Sequence, residues 1–93
     1  MRAIERTKAF KRDYRRVLAN PKHHGIDEVL TFVLTLLATD APLPVKLADH
    51  PLRGEWKAYR DCHIKPDLLL IYRKIGRDIL QLIRLGSHGD LGF

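Results

Sequence analysis

The chain has 93 residues, 45% of them hydrophobic, and a formal net charge of +6. That length allows one modest core and excludes a second domain; the composition excludes wholesale disorder; and a single cysteine, Cys62, excludes an intramolecular disulfide and fits a reducing compartment. Residues 1–25 carry 8 basic and 2 acidic side chains and the rest of the chain 9 of each, so the whole excess sits in the first quarter, the pattern of a polyanion-binding segment or of a solvated helix face.

Residues 1–6 lack the apolar run of a secretory signal and read as a short strand, with Ala3 and Glu5 on one side and Ile4 on the other. Residues 7–18 read as a helix. Thr7 is its N-cap; Phe10, Tyr14, Val17 and Leu18 share one face; Lys8, Lys11, Arg12, Arg15 and Arg16 cover the remainder; Asn20-Pro21 ends it. A second helix begins near Ile26 or Asp27 and stops before Ala41-Pro42. Ile26, Val29, Leu30, Val33, Leu36 and Leu37 keep its 3.6-residue period, while Phe32 and Leu34 widen the stripe, as core beneath a loop or as a patch for a partner. Residues 26–38 include Asp27, Glu28, Thr31 and Thr35 and are too short and too polar to span a bilayer, so a soluble cytoplasmic protein is expected.

Residues 42–53 read as loop, with prolines at 42, 44 and 51. From residue 55 to 64 the pattern alternates: Trp56, Ala58, Arg60, Cys62 and Ile64 on one side, Lys57, Tyr59, Asp61 and His63 on the other. This predicts a strand with one polar face. Residues 68–72 are nearly all apolar, as in a central strand covered on both faces. After a turn at residues 75–78, a third strand is predicted over 79–85, then a glycine-containing tail over 86–93. The order β-α-α-β-β-β predicts an α+β domain over residues 1–93: one twisted, mainly antiparallel sheet with two helices packed on one face.

Side chains able to do chemistry gather in the second half: His50, His63, Asp67, Arg84 and His88. They offer zinc ligands, but their spacing matches no standard metal motif, and no cofactor is expected. The same residue types fit metal-independent cleavage of RNA. There the 2′-hydroxyl is the nucleophile, histidines serve as acid and base near neutral pH, and arginine offers planar contact to phosphate. Trp56, Tyr59, Tyr72 and Phe93 are candidates for stacking on bases; by strand phase Trp56 and Tyr72 belong to the core.

The run Asp49-His50-Pro51-Leu52-Arg53-Gly54-Glu55-Trp56, continuing through Arg60-Asp61-Cys62-His63 and Pro66-Asp67 to Leu70-Ile71-Tyr72, closely resembles the DHxLxGxWxxxRDxHxxPDxxLIY pattern of the YafQ branch of the RelE/ParE toxins. Arg84-Leu85-Gly86-Ser87-His88 resembles the same branch's R-x-G-S/T-H segment. The resemblance implies a RelE/ParE-like fold and an endoribonuclease that cuts messenger RNA in the ribosomal A site and is neutralised by a cognate antitoxin. It carries functional positions onto His50, His63, Asp67, Arg84, His88 and Phe93. His50 and Asp67 would assist activation of the 2′-hydroxyl with His63 nearby, Arg84 would stabilise the transition state, and His88 would be the general acid. Lys8, Lys11, Arg12, Arg15 and Arg16 would then face ribosomal RNA. The chain departs from the pattern at Leu68, where the branch has Trp, in a hairpin one residue longer between Tyr72 and Arg84, and at Gly92, inserted before Phe93. Two other readings use the same fold: a ParE-like inhibitor of DNA gyrase, which has no need of the histidines, and a non-catalytic RNA-binding member.

Overall fold

The computed structural model describes residues 1–92. Among them β1 (Ala3–Arg6) leads into α1 (Lys8–Ala19) and α2 (Ile26–Ala38), followed by β2 (His50–Pro51), β3 (Arg60–Lys65), β4 (Leu68–Ile75), β5 (Ile79–Gly86) and a short helix α3 (His88–Leu91). The strands form one sheet in the order β1-β5-β4-β3-β2. β1 runs parallel to β5 and the other neighbours are antiparallel, so the predicted α+β sheet with two helices on one face holds. No helix among the described residues is long and apolar enough to cross a membrane.

Each helix buries most of the stripe its period demands; Leu18, expected on the apolar face of α1, is instead exposed. Phe10 and Val17 of α1 and Ile26, Leu30, Val33 and Leu37 of α2 pack on Cys62 and Ile64 of β3, Leu68, Leu70 and Tyr72 of β4, and Leu80, Leu82 and Leu85 of β5. Thr7 caps α1 by accepting from the Phe10 amide at 3.0 Å. Asp27 and Glu28 stand in the first turn of α2, where the helix dipole favours negative charge. On β4 the alternate residues Leu69 and Ile71 are also fully buried, on the opposite face, which explains its continuous apolar run. Leu68, where a tryptophan was the pattern, is core.

Four expectations change. The strand predicted from residue 55 starts only at Arg60: Gly54 takes a left-handed φ of 64°, and Gly54–Trp56 form a 3-10 turn. Trp56 is therefore half-buried beside Tyr59, ring centroids 5.3 Å apart, and is not core. The predicted loop holds an extra edge strand, β2, in which proline is tolerated because an edge needs no donor on its outer side. The tail is a short helix closed by a capping box between Ser87 and Asp90. Phe32 is exposed and belongs to a surface patch, while Leu34 packs against the core.

β1 pairs with β5 only as far as Leu82, which would leave the rest of that edge with bare backbone groups. Side chains of α1 cover it instead. Thr7 Oγ1 donates to the Ile83 carbonyl at 2.8 Å, the Leu85 amide donates to Asp13 Oδ2 at 3.0 Å, and Arg16 Nη2 donates to the Leu85 carbonyl at 3.4 Å. Gly86 fits closely here: a Cβ would lie 3.1 Å from Arg16 Nη2 and from the Asp90 side chain, which would have to give way.

Candidate active site

The register sets four residues in one row across the sheet. His50 of β2 faces Asp61 of β3, Asp61 faces Ile71 of β4, and Ile71 faces Arg84 of β5. Directly opposed residues project on the same side, so the row lies on the face away from α1 and α2. The next row holds His63, opposite Leu69, which in turn faces Gly86. His88 follows at the start of α3. The three imidazoles form a chain: His50 and His63 are 6.4 Å apart between ring centroids, and His63 and His88 5.7 Å, edge to face.

Each histidine is oriented by an oxygen. A carbonyl can only accept, so the 2.9 Å contact between His50 Nδ1 and the Ala48 carbonyl puts the proton on Nδ1. In the neutral ring His50 Nε2 then carries the lone pair, and it stands 3.6 Å from Asp61 Oδ2. His63 Nε2 stands 3.5 Å from Asp61 Oδ1 on the other side. His88 donates from Nδ1 to Asp67 Oδ1 at 2.9 Å, and its backbone amide reaches the same oxygen at 3.3 Å. These bonds hold the Asp67 carboxyl below the usual carboxylate range and do not involve His88 Nε2. Asp67 thus accompanies His88, not His50.

Asp61 was not among the predicted site residues. It is 4% exposed, and its Oδ1 lacks a hydrogen-bond partner. Burial pushes its carboxyl up, an effect offset in part by His50, His63 and His88. Asp49 was also missed. It accepts from Arg60 Nη2 at 2.9 Å and from the Tyr72 hydroxyl, and so pins the loop that carries His50.

Arg84 is held by the third missed residue, Asp13, which is fully buried. Arg84 Nε donates to Asp13 Oδ2 at 2.6 Å and Nη2 to Oδ1 at 3.3 Å. Among the described residues Asp13 takes two of the five guanidinium N–H groups. A register shift between Ile71 and Tyr72 accommodates an extra residue, Ile83, immediately before Arg84. Of the basic α1 side chains, Lys8, Lys11, Arg12 and Arg15 are exposed; Arg16 also pairs with Asp13 at 3.3 Å and Asp90 at 3.7 Å. Phe93 lies outside the described residues.

A sequence profile for a bacterial toxin of type II toxin–antitoxin systems, YafQ, matches residues 2–92. The chain is 40% identical over 91 residues to the mRNA interferase toxin YafQ of Escherichia coli K12, covering 97% of this chain and 95% of that protein. Two solved structures are similar throughout. A metal-bound toxin from Helicobacter pylori superposes with a TM-score of 0.86 at 43% identity, covering 98% of this chain and 99% of that one. A toxin chain of the E. coli DinJ-YafQ complex superposes with a TM-score of 0.81 at 38% identity, covering 98% of each. Among the described residues of the present chain no three His, Cys, Asp or Glu side chains are placed to share an ion.

Proposed function

The chain belongs to the YafQ family of toxins of bacterial type II toxin–antitoxin systems, and on that footing we propose that it is a ribosome-dependent endoribonuclease, acting in the cytoplasm on messenger RNA in the A site. The observation that carries this reading is the chain of three oriented imidazoles that starts at His50, in the same cross-strand row as Arg84.

In the proposed mechanism His50 Nε2 takes the proton of the 2′-hydroxyl, and the freed oxygen attacks the adjacent phosphorus. Asp61 lies beside the imidazolium that results and is shared with His63, which stands by as the alternative base. Arg84 meets the charge building on the non-bridging oxygens with the N–H groups that Asp13 leaves free. His88, protonated and held by Asp67, gives its Nε2 proton to the departing 5′-oxygen. The products are a 2′,3′-cyclic phosphate and a 5′-hydroxyl. Phe93 would stack on a base. Lys8, Lys11, Arg12 and Arg15 would lie against ribosomal RNA, with the ribosome supplying the in-line geometry of the substrate. The partner that restrains the enzyme is a cognate antitoxin, a reading supported by the E. coli DinJ-YafQ complexes.

Primer extension on a defined message, with and without programmed ribosomes, tests this. Cuts are expected only with ribosomes and are lost in His88→Ala. Equal cutting of naked RNA would mean a free ribonuclease. No cutting in either case would favour a gyrase inhibitor or a binding-only protein.

A further inference from the structure

Next to Asp67 lies a cleft of about 380 Å³, lined by Lys22, His23, Lys65, Asp67, Ser87 and Asp90. None of its basic residues belongs to the row described above. Lys22 and His23 come from the 3-10 turn between α1 and α2, and Lys65 from the last position of β3. Lys65 Nζ reaches the Lys22 carbonyl at 3.5 Å and so bridges the two walls. Both acids of the cleft are engaged elsewhere: Asp67 with His88, and Asp90 with Ser87 and Arg16. With Arg16 beside Asp90 at 3.7 Å, three fixed cations, Lys22, Lys65 and Arg16, stand against the two carboxylates of the cleft. His23 is close enough to act on the Asp67 carboxyl, and among the described residues its buried Nδ1 has no hydrogen-bond partner, which leaves that donor or acceptor to be met by something else.

The cleft's position gives it a direction. The imidazole chain runs His50, His63, His88, and Asp67 joins His88 to the cleft. In the mechanism above the nucleotide that supplies the 2′-hydroxyl sits at the His50 end and the leaving 5′-oxygen at His88. A strand running in that order passes His88 towards Asp67, which is a wall of the cleft.

We propose that Lys22, Lys65 and His23 form a subsite for the RNA phosphate on the 3′ side of the leaving nucleotide, one position beyond the scissile phosphate. This rests on the ribonuclease reading and extends it to how the downstream strand is held. A subsite of this kind grips the backbone and not the base, so it contributes positioning at every codon.

The test uses synthetic messages on programmed ribosomes, in which that one phosphate is replaced by an uncharged methylphosphonate, cut under single-turnover conditions. For the wild-type protein the replacement is expected to raise the half-saturating toxin concentration about tenfold. The double variant K22Q/K65Q is expected to be weaker by a similar factor on the natural message and to show no further loss on the modified one. Arginine at both positions should restore binding, and unchanged melting temperatures exclude a folding defect. The proposal is overturned if the wild type ignores the modification, if the two losses multiply, or if K22Q/K65Q instead erases the effect of a methylphosphonate placed 5′ of the cut. Failure of the wild type to cut the natural message would remove the ribonuclease reading itself, and the subsite with it.

Discussion

Replacing Asp13 by alanine removes four interactions at one buried point. The carboxylate accepts two bonds from Arg84 and one from the Leu85 amide, and it faces Arg16 Nη1 at 3.3 Å. The Leu85 amide is left without an acceptor, at a cost of about 1–3 kcal/mol. Breaking a fully buried ion pair costs roughly 3–5 kcal/mol. The Arg84 side chain, however, is 25% exposed and stays partly hydrated, so that part shrinks to about 1–2 kcal/mol. A total near 3 kcal/mol corresponds to a fall in Tm of roughly 12–24 °C for a chain of this size. Asp13→Asn keeps an oxygen for the Leu85 amide and should lose about 1–2 kcal/mol. Both variants should cleave RNA at least about tenfold more slowly, because Arg84 loses its anchor. The pH dependence separates charge from packing. Burial alone would raise the Asp13 carboxyl, but the Arg84 bond, the Leu85 amide and the charges of Arg84 and Arg16 outweigh it and hold it below its ordinary value. A depressed folded pKa means stability that is present above about pH 4 and lost as pH falls through the lower folded value. Urea melts of wild type and Asp13→Asn should therefore differ at pH 7, and the gap should narrow as pH falls below about 4. Equal stability at pH 7, or a gap that does not narrow in acid, would refute the reasoning.

His88→Ala should abolish ribosome-dependent cleavage while shifting Tm by no more than about 2 °C, since the side chain is exposed; retained cleavage in primer extension would remove it as the acid. Asp61→Asn should raise Tm by a few degrees, about 1 kcal/mol, by removing a buried charge, yet slow cleavage about tenfold or more; melting and single-turnover rates measured on the same preparation check both. In His50→Gln the Asp61 carboxyl should titrate higher than in the wild type, because His50 is the foremost charge opposing its burial; carbon NMR of the carboxyl would show an unchanged or lower value if the two do not interact. Burial pushes the Cys62 thiol up to about 12, so at pH 8 a thiol reagent should label it only in denaturant, and fast native labelling would contradict the packing of β3.

The two helices and the three long strands were legible because period and alternation report burial directly. Alternation misled at residues 55–59, where the left-handed Gly54 diverts the chain into a turn with the same polar rhythm as a strand. Asp13 carried a readable signal. It falls between Phe10 and Val17 on the buried stripe of α1, just as Arg84 interrupts an apolar strand, and the two misplaced charges explain each other. Asp61 did not. Its burial depends on β2, two residues long and half proline, which no pattern announces. The assignment of Asp67 to His88 is likewise a matter of how the turn after β3 meets α3, a contact between positions 21 apart.

The row formed by His50, Asp61, Ile71 and Arg84 takes one residue from each of four strands. A one-residue slip in any pairing would turn its contribution to the opposite face. In the proposed mechanism, catalytic competence is thus an all-or-none attribute of the fully zipped sheet, and chains still assembling, or frayed at β2 or β5, would be innocuous. Cleavage would then begin only at the final step of folding, which would give a newly made antitoxin time to arrive.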